Sequence, residues 1–194
     1  MTLSTDNEAS PEETGYPIQL GDAEIEYYIP HRRPMRFVDR VEILGPHQFR
    51  GEAVWSADSP VLAGHFRGLA VVPGVCLLEA AAQVAGVGAL AGNPNARAQA
   101  AGKLGMLAGV LKCAFRRPVL AGERVTYEIA ARPIDSNFAS AKASATVGTE
   151  LAATLEFFVC HVELAKLATH VSLDELIRKN QDVFGFDRMA PAFA

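Results

Sequence analysis

Two side chains stand out because their types can exchange a proton and their setting isolates them. His65 lies in the segment Gly64-His65-Phe66, and Glu79 follows 14 residues later within a run of Val, Cys, Leu and Ala. Histidine is the side chain best able to take up and release a proton near neutral pH. A carboxylate in apolar surroundings is costly to ionise, so burial is expected to raise the pKa of Glu79 and let it serve as a general acid. Gln83 stands four residues beyond Glu79, on the same helical face, and is placed to orient the carboxyl by hydrogen bonding. Together these residues form a candidate acid–base couple with a supporting amide. The bland alternatives are a structural histidine and a glutamate held in a buried hydrogen bond or ion pair.

An element must hold this couple, and the chain supplies one from Pro73 to about Leu90. Proline suits the first turn of a helix, where its missing amide would have no partner. The residues after it are apolar on every side, apart from Glu79 and Gln83. Such a helix belongs in the middle of a protein or in a membrane. Pro73, several glycines, the mid-span Glu79 and the lack of a basic flank weigh against a membrane span. The first amides of the helix, that of Gly74 among them, carry the positive end of its dipole and could stabilise charge on an acyl carbonyl. Glycine there also lets a substrate approach the backbone.

Around the helix the pattern is extended. Phe37–Leu44 and Phe49–Trp55 read as strands separated by Gly45-Pro46, with Phe49, Gly51, Ala53 and Trp55 on one face. Gly92–Gly102 reads as a turn-rich exit. Leu104–Phe115, Arg124–Ala131, Phe138–Val147 and Leu151–Val162 then read as a meander of strands, with a tight hairpin at Gly148. These elements give an α+β domain; a curved antiparallel sheet wrapped about the long central helix would bury it on every side.

The segment from Gly64 to Leu90 resembles the β-hydroxyacyl-ACP dehydratases of bacterial fatty-acid synthesis, whose pattern is roughly GHFPxxPxxPGVxxxEAxxQ. His65, Pro73, Gly74, Val75, Glu79 and Gln83 fall in register with it. Two further blocks, Ile29–Leu44 and Leu107–Val125, are also similar, so the likeness covers about residues 25 to 163. It implies the hotdog fold and removal of water from a β-hydroxyacyl thioester, without metal or organic cofactor. His65 would take the α-proton and Glu79 would protonate the departing hydroxyl. The Gly74 amide would bind the thioester oxygen, and the carbonyl of Val71 would hold the histidine ring. The family assembles its site between two subunits, histidine from one and acid from the other. Arg67 and Ala70 replace usual loop prolines, which points to a looser loop and altered specificity, as for a specialised member serving polyketide or other secondary metabolism. Glu rather than Asp at 79 resembles the branch that dehydrates without isomerising. The alternatives are a hotdog acyl thioesterase and a partner subunit of a hetero-oligomeric dehydratase.

The resemblance also implies an acidic partner, an acyl carrier protein bearing the substrate on phosphopantetheine. Lys112, Arg116 and Arg117 form a basic cluster that could receive it; a solvated strand edge is the competing reading. His31, between Pro30 and two arginines, reads as a turn residue with a structural or surface role. In a chain of 194 residues, 49% hydrophobic and 21% charged, a net charge of −4 argues against general nucleic-acid binding. Residues 1–20 read as a flexible polar tail, 21–163 as the dehydratase domain, and 164–194 as an extension with an amphipathic helix over Ser172–Phe184. With no export signal, and three cysteines in neither metal nor disulfide spacing, the expected setting is the reducing cytoplasm. Cys76 reads as a small buried hydrophobe, a nucleophilic role being the alternative.

Overall fold

Alternation along the strands decides which face meets the core, and the computed structural model describes its outcome for residues 15–167. Strand β1 (Ile18–Leu20) and helix α1 (Asp22–Tyr28) lead to the hairpin β2 (Val38–Gly45) and β3 (Gln48–Val54). A single 3₁₀ turn, Pro60–Leu62, precedes α2 (Gly74–Ala91) and α3 (Pro94–Ala100). Four long strands follow, β4 (Lys103–Phe115), β5 (Arg124–Pro133), β6 (Phe138–Val147) and β7 (Glu150–Glu163), and then the short α4 (Leu164–Leu167). In β3, Phe49, Gly51 and Ala53 are buried while Arg50 and Glu52 are partly exposed, as strand alternation requires. Gly148, with φ +58°, makes the tight turn between β6 and β7.

All seven strands form one antiparallel sheet in the order β1-β2-β3-β5-β6-β7-β4. The expected meander therefore holds only for β5, β6 and β7. The helices α2 and α3 carry the chain across the sheet, so β4 joins its far edge against β7, from Lys103 opposite Glu163 to Phe115 opposite Ala153. The turn-rich exit expected over Gly92–Gly102 is instead mostly α3. Its cap is Asn93, whose side-chain oxygen accepts from the Asn95 and Ala96 amides. Ile18–Leu20, at the end of the segment expected to be a tail, pair with β2, and Leu20 is buried. The amphipathic helix expected over Ser172–Phe184 and most of the N-terminal tail lie outside the described residues.

Helix α2 is 18 residues long and apolar enough to cross a membrane, yet more than half of it is buried inside the protein. The sheet comes close because two glycines let it. A Cβ at Gly51 would overlap Val84, and one at Gly88 would overlap the Phe49 ring. Phe49, Ile43, Val84, Val87, Tyr127 and Phe157 are all essentially inaccessible, so the core lies between α2 and the inner face of the sheet. This is the α+β hotdog arrangement, in which the one polar side of α2 is held beside the loops at the sheet's rim.

Candidate active site

The loop before α2 fixes His65 at two points. The Val71 amide donates to the His65 carbonyl at 3.1 Å, and the His65 ring Nδ1 lies 3.0 Å from the Val71 carbonyl oxygen. A carbonyl can only accept, so Nδ1 carries the proton and Nε2 of the neutral ring keeps a free electron pair. That is the tautomer of a base. The ring stacks on Phe66 with centroids 4.3 Å apart. Hydrogen bonds between Phe66 and Leu69 in both directions close the turn containing Arg67. The loop leads to Gly74 at the start of α2, where Phe115 of β4 occupies the place a Cβ would need.

Glu79 is one turn further along α2, and its neighbours are specific. Gln83 donates through Nε2 to Glu79 Oε1 at 3.0 Å and to the Met35 carbonyl at 2.7 Å. Its Oε1 accepts from the Phe37 amide at 2.9 Å. Buried Gln83 thus spends every polar atom on fixing Glu79 to the segment between α1 and β2.

From that segment comes His31, which the sequence marks only as a turn residue. His31 Nε2 lies 3.3 Å from Glu79 Oε1. No periodicity marks His31; its neighbours in the chain, Pro30 and Arg32, suggest only a turn. Its position depends on Arg36, buried beside β2, which pairs with Asp22 and Glu26 of α1 and donates to the Val38 carbonyl. Those ties fasten the segment to α1 and β2, and Gln83 fastens it to α2 through Met35 and Phe37.

This arrangement corrects the expected ionisation of Glu79. The hydrogen bond from His31 acts most strongly, and with that from Gln83 it outweighs burial, so the Glu79 pKa is lowered rather than raised. By contrast, burial and then the charge of Glu79 push the Cys76 thiol up, which leaves it a packing residue rather than a nucleophile. Among the described residues no group of His, Cys, Asp and Glu is arranged to hold a metal.

Glu79, Gln83 and His31 open onto a cavity of about 600 Å³ that runs along the Ala82, Gly86 and Ala89 side of α2 beneath β4. His65 does not line it, and among the described residues no hydrogen bond or ion pair joins His65 to Glu79 within the chain. The basic cluster is also divided. Lys112 and Arg116 are exposed, but Arg117 is held by Glu123 at 2.7 Å and Glu150 at 3.0 Å.

Residues 29–162 match the FabA-like domain model, and the chain belongs to that family. It is 35% identical over 145 residues to the 3-hydroxyacyl-[acyl-carrier-protein] dehydratase FabZ of Caldanaerobacter subterraneus subsp. tengcongensis, covering 74% of this chain and 99% of that one. The enzyme of the same name from Natranaerobius thermophilus is 39% identical over 131 residues, with 67% and 89% covered. Among solved structures, the dehydratase heterocomplex ApeI:P from Xenorhabdus doucetiae superposes with a TM-score of 0.62 at 20% identity, over 76% of this chain and 97% of that one. Cj0977, a sigma28-regulated virulence protein from Campylobacter jejuni, shares the fold at a TM-score of 0.50 and 13% identity, with 81% and 96% covered.

Proposed function

We propose that this protein dehydrates 3-hydroxyacyl thioesters carried on acyl carrier protein, giving the trans-2-enoyl thioester and water, with His65 as base and Glu79 as acid. The observation that carries the reading is the pairing of a histidine locked in its basic tautomer with a carboxyl held at Gln83, within the matched family domain. His65 Nε2 removes the α-proton. The electron pair of that C–H bond becomes the double bond, and the hydroxyl leaves with a proton from Glu79. The Gly74 amide at the start of α2 polarises the thioester carbonyl as charge develops there.

The working site is shared between two copies of the chain. β4 is an edge strand 13 residues long, with Val110, Leu111 and Phe115 exposed, and Phe66, Leu69 and Val75 are exposed around the His65 loop and the start of α2. A long apolar edge invites a second strand. An isologous dimer would bring His65 of one copy to the cavity of the other and explain why one chain leaves them apart. A second, non-identical subunit could occupy the same edge, as in a hetero-oligomer. Lys112 and Arg116 remain available to receive an acidic carrier protein, while Arg117 supports its own turn. The expected setting is cytoplasmic.

Incubation with a panel of 3-hydroxyacyl carrier-protein thioesters, followed by mass spectrometry of the intact carrier, tests the reading. Loss of one water is expected. Release of free acid would make the protein a thioesterase instead.

A further inference from the structure

Glu79 stands at one end of the cavity of about 600 Å³, and the lining changes character along its length. Past the acid it is apolar, with Ala82, Gly86 and Ala89 of α2, Met106 of β4 and Val159 of β7. From Glu79 to Ala89 the helix advances about 15 Å. An extended chain advances about 1.2 Å per bond, so about a dozen bonds span this stretch. Beyond the end of α2 the lining turns polar, with Asn95 and Gln99 of α3, Asp135 and Ser136 of the β5–β6 turn, and His161 of β7. Asn95, Gln99, Asp135 and Ser136 are exposed, so among the described residues this end is open to water. Asp135 Oδ1 holds the turn in shape, accepting from the Asn137 and Phe138 amides at 2.7 and 2.9 Å. The side chains of Asn95, Gln99, Ser136 and His161 make no hydrogen bond within the described residues. Burial and then the charge of Lys103 hold the His161 ring below its ordinary pKa, so at neutral pH it offers one donor and one acceptor.

We propose that the acyl groups this protein takes carry a neutral hydrogen-bonding group (a hydroxyl, carbonyl or amide) about a dozen bonds beyond C3, and that Asn95, Gln99, Ser136 and His161 select it over a plain alkyl end. This inference rests on the dehydratase reading above and names the substrate class of the same site. The leaving hydroxyl is on C3, so with Glu79 as its acid the carbons beyond C3 enter this cavity. The phosphopantetheine arm does not suit it, because its two amides would lie unpaired against Ala82, Gly86 and Ala89. An alkyl chain fits that stretch. At the far end a plain alkyl tail would displace water from the polar side chains without replacing its hydrogen bonds, whereas a hydroxyl or carbonyl replaces them. Asp135 and Lys103 place opposite charges at this end, so it favours neither an anionic nor a cationic tail.

The test uses the full chain with the 3-hydroxyhexadecanoyl, 3,16-dihydroxyhexadecanoyl and 3,9-dihydroxyhexadecanoyl thioesters of a carrier protein. With one hydrogen bond gained at the far end, kcat/KM for the 16-hydroxy chain should exceed that for the plain chain by about two- to tenfold. The 9-hydroxy chain sets its second hydroxyl against the apolar wall near Gly86 and should fall about ten- to a hundredfold below the plain chain. A 16-hydroxy chain no better than the plain one would overturn the proposal, as would a 9-hydroxy chain accepted equally well. Gln99→Leu and His161→Phe should each bring the ratio of 16-hydroxy to plain substrate toward one, and a ratio that neither moves would count against the assigned residues. A Cβ at Gly86 would meet only Ile29, at 3.7 Å, so a larger side chain is accommodated there. Gly86→Leu should lower kcat/KM for the hexadecanoyl substrates relative to 3-hydroxybutyryl by about tenfold or more. A loss equal on both would show that the arm, not the acyl chain, occupies the cavity. Calorimetry with the unreactive hexadecanoyl and 16-hydroxyhexadecanoyl amides of pantetheine gives a readout independent of turnover. Tighter binding of the hydroxylated amide by a protein that dehydrates none of the thioesters would sink the dehydratase reading and uphold the polar-ended cavity. Dehydration with no preference between the chains would sink this proposal alone.

Discussion

At the scale of single residues, the site depends on hydrogen bonds that fix tautomer and charge. The Val71 carbonyl can only accept, so it selects the His65 tautomer with a free Nε2. His65→Ala and Glu79→Gln are each expected to lower turnover by about a hundred- to ten-thousand-fold, the usual range for a general acid or base. Steady-state assay of variants whose circular dichroism matches the wild type checks this. Glu79 also contributes to stability in a pH-dependent way. Its folded pKa is held below the ordinary 4.5, first by His31 and then by Gln83. The contribution is therefore present above about pH 4.5 and lost as pH falls through the lower folded value. Denaturant melts of wild type and Glu79→Gln should differ at pH 7, and the gap should shrink as the pH falls below about 4.5. A gap that widened in acid would contradict the sign.

At the scale of elements, α2 can carry an acid because its other sides are packed so closely. Gly51 receives the Val84 side chain of the helix and Gly88 receives the Phe49 ring of β3, each in the place a Cβ would fill. In an isolated helix, Gly→Ala would gain up to about 1 kcal/mol from helix propensity. At position 88 the new methyl meets the Phe49 ring, which is only 1% exposed and has no room to move. Overpacking of that kind costs typically about 1–3 kcal/mol and can cost more. Gly88→Ala is expected to lower Tm by about 2–8 °C, read by calorimetry. A rise in Tm would show that the sheet yields at this contact.

The whole molecule sets the last condition, the meeting of the proposed base and acid. One chain leaves His65 outside the cavity that holds Glu79, and its β4 edge is long and apolar. With the site shared as proposed, a dimer with His65→Ala in one chain and Glu79→Gln in the other would combine both defects in one site. The second takes its histidine and its acid from the unaltered positions. Co-refolding the two inactive variants should recover up to one working site per mixed dimer, whereas each variant refolded alone should stay inactive. Verified mixed dimers without activity would place both residues of each working site in one chain.

Much of this organisation is legible in the order of residues. The long apolar helix interrupted only by Glu79 and Gln83, the alternation of β3, the turn at Gly148 and the family pattern through His65 are all local or short-range signals. Local pattern cannot say which edge a strand joins, so it suggests a meander for β4, which instead pairs with β7. Nor could the tie from the Asn93 side chain to the amides that open α3 be read as a helix start among residues rich in turn formers. The ionisation of Glu79 escaped for a stronger physical reason. From sequence, burial is the only force in view, and it raises a carboxyl's pKa. The opposing hydrogen bond comes from His31, 48 positions earlier in the chain, brought within 3.3 Å by a segment that Arg36 and Gln83 pin in place. Composition and spacing determined which side chains could move protons; the tertiary structure alone decided which of them touch, and therefore that the Glu79 pKa is lowered rather than raised.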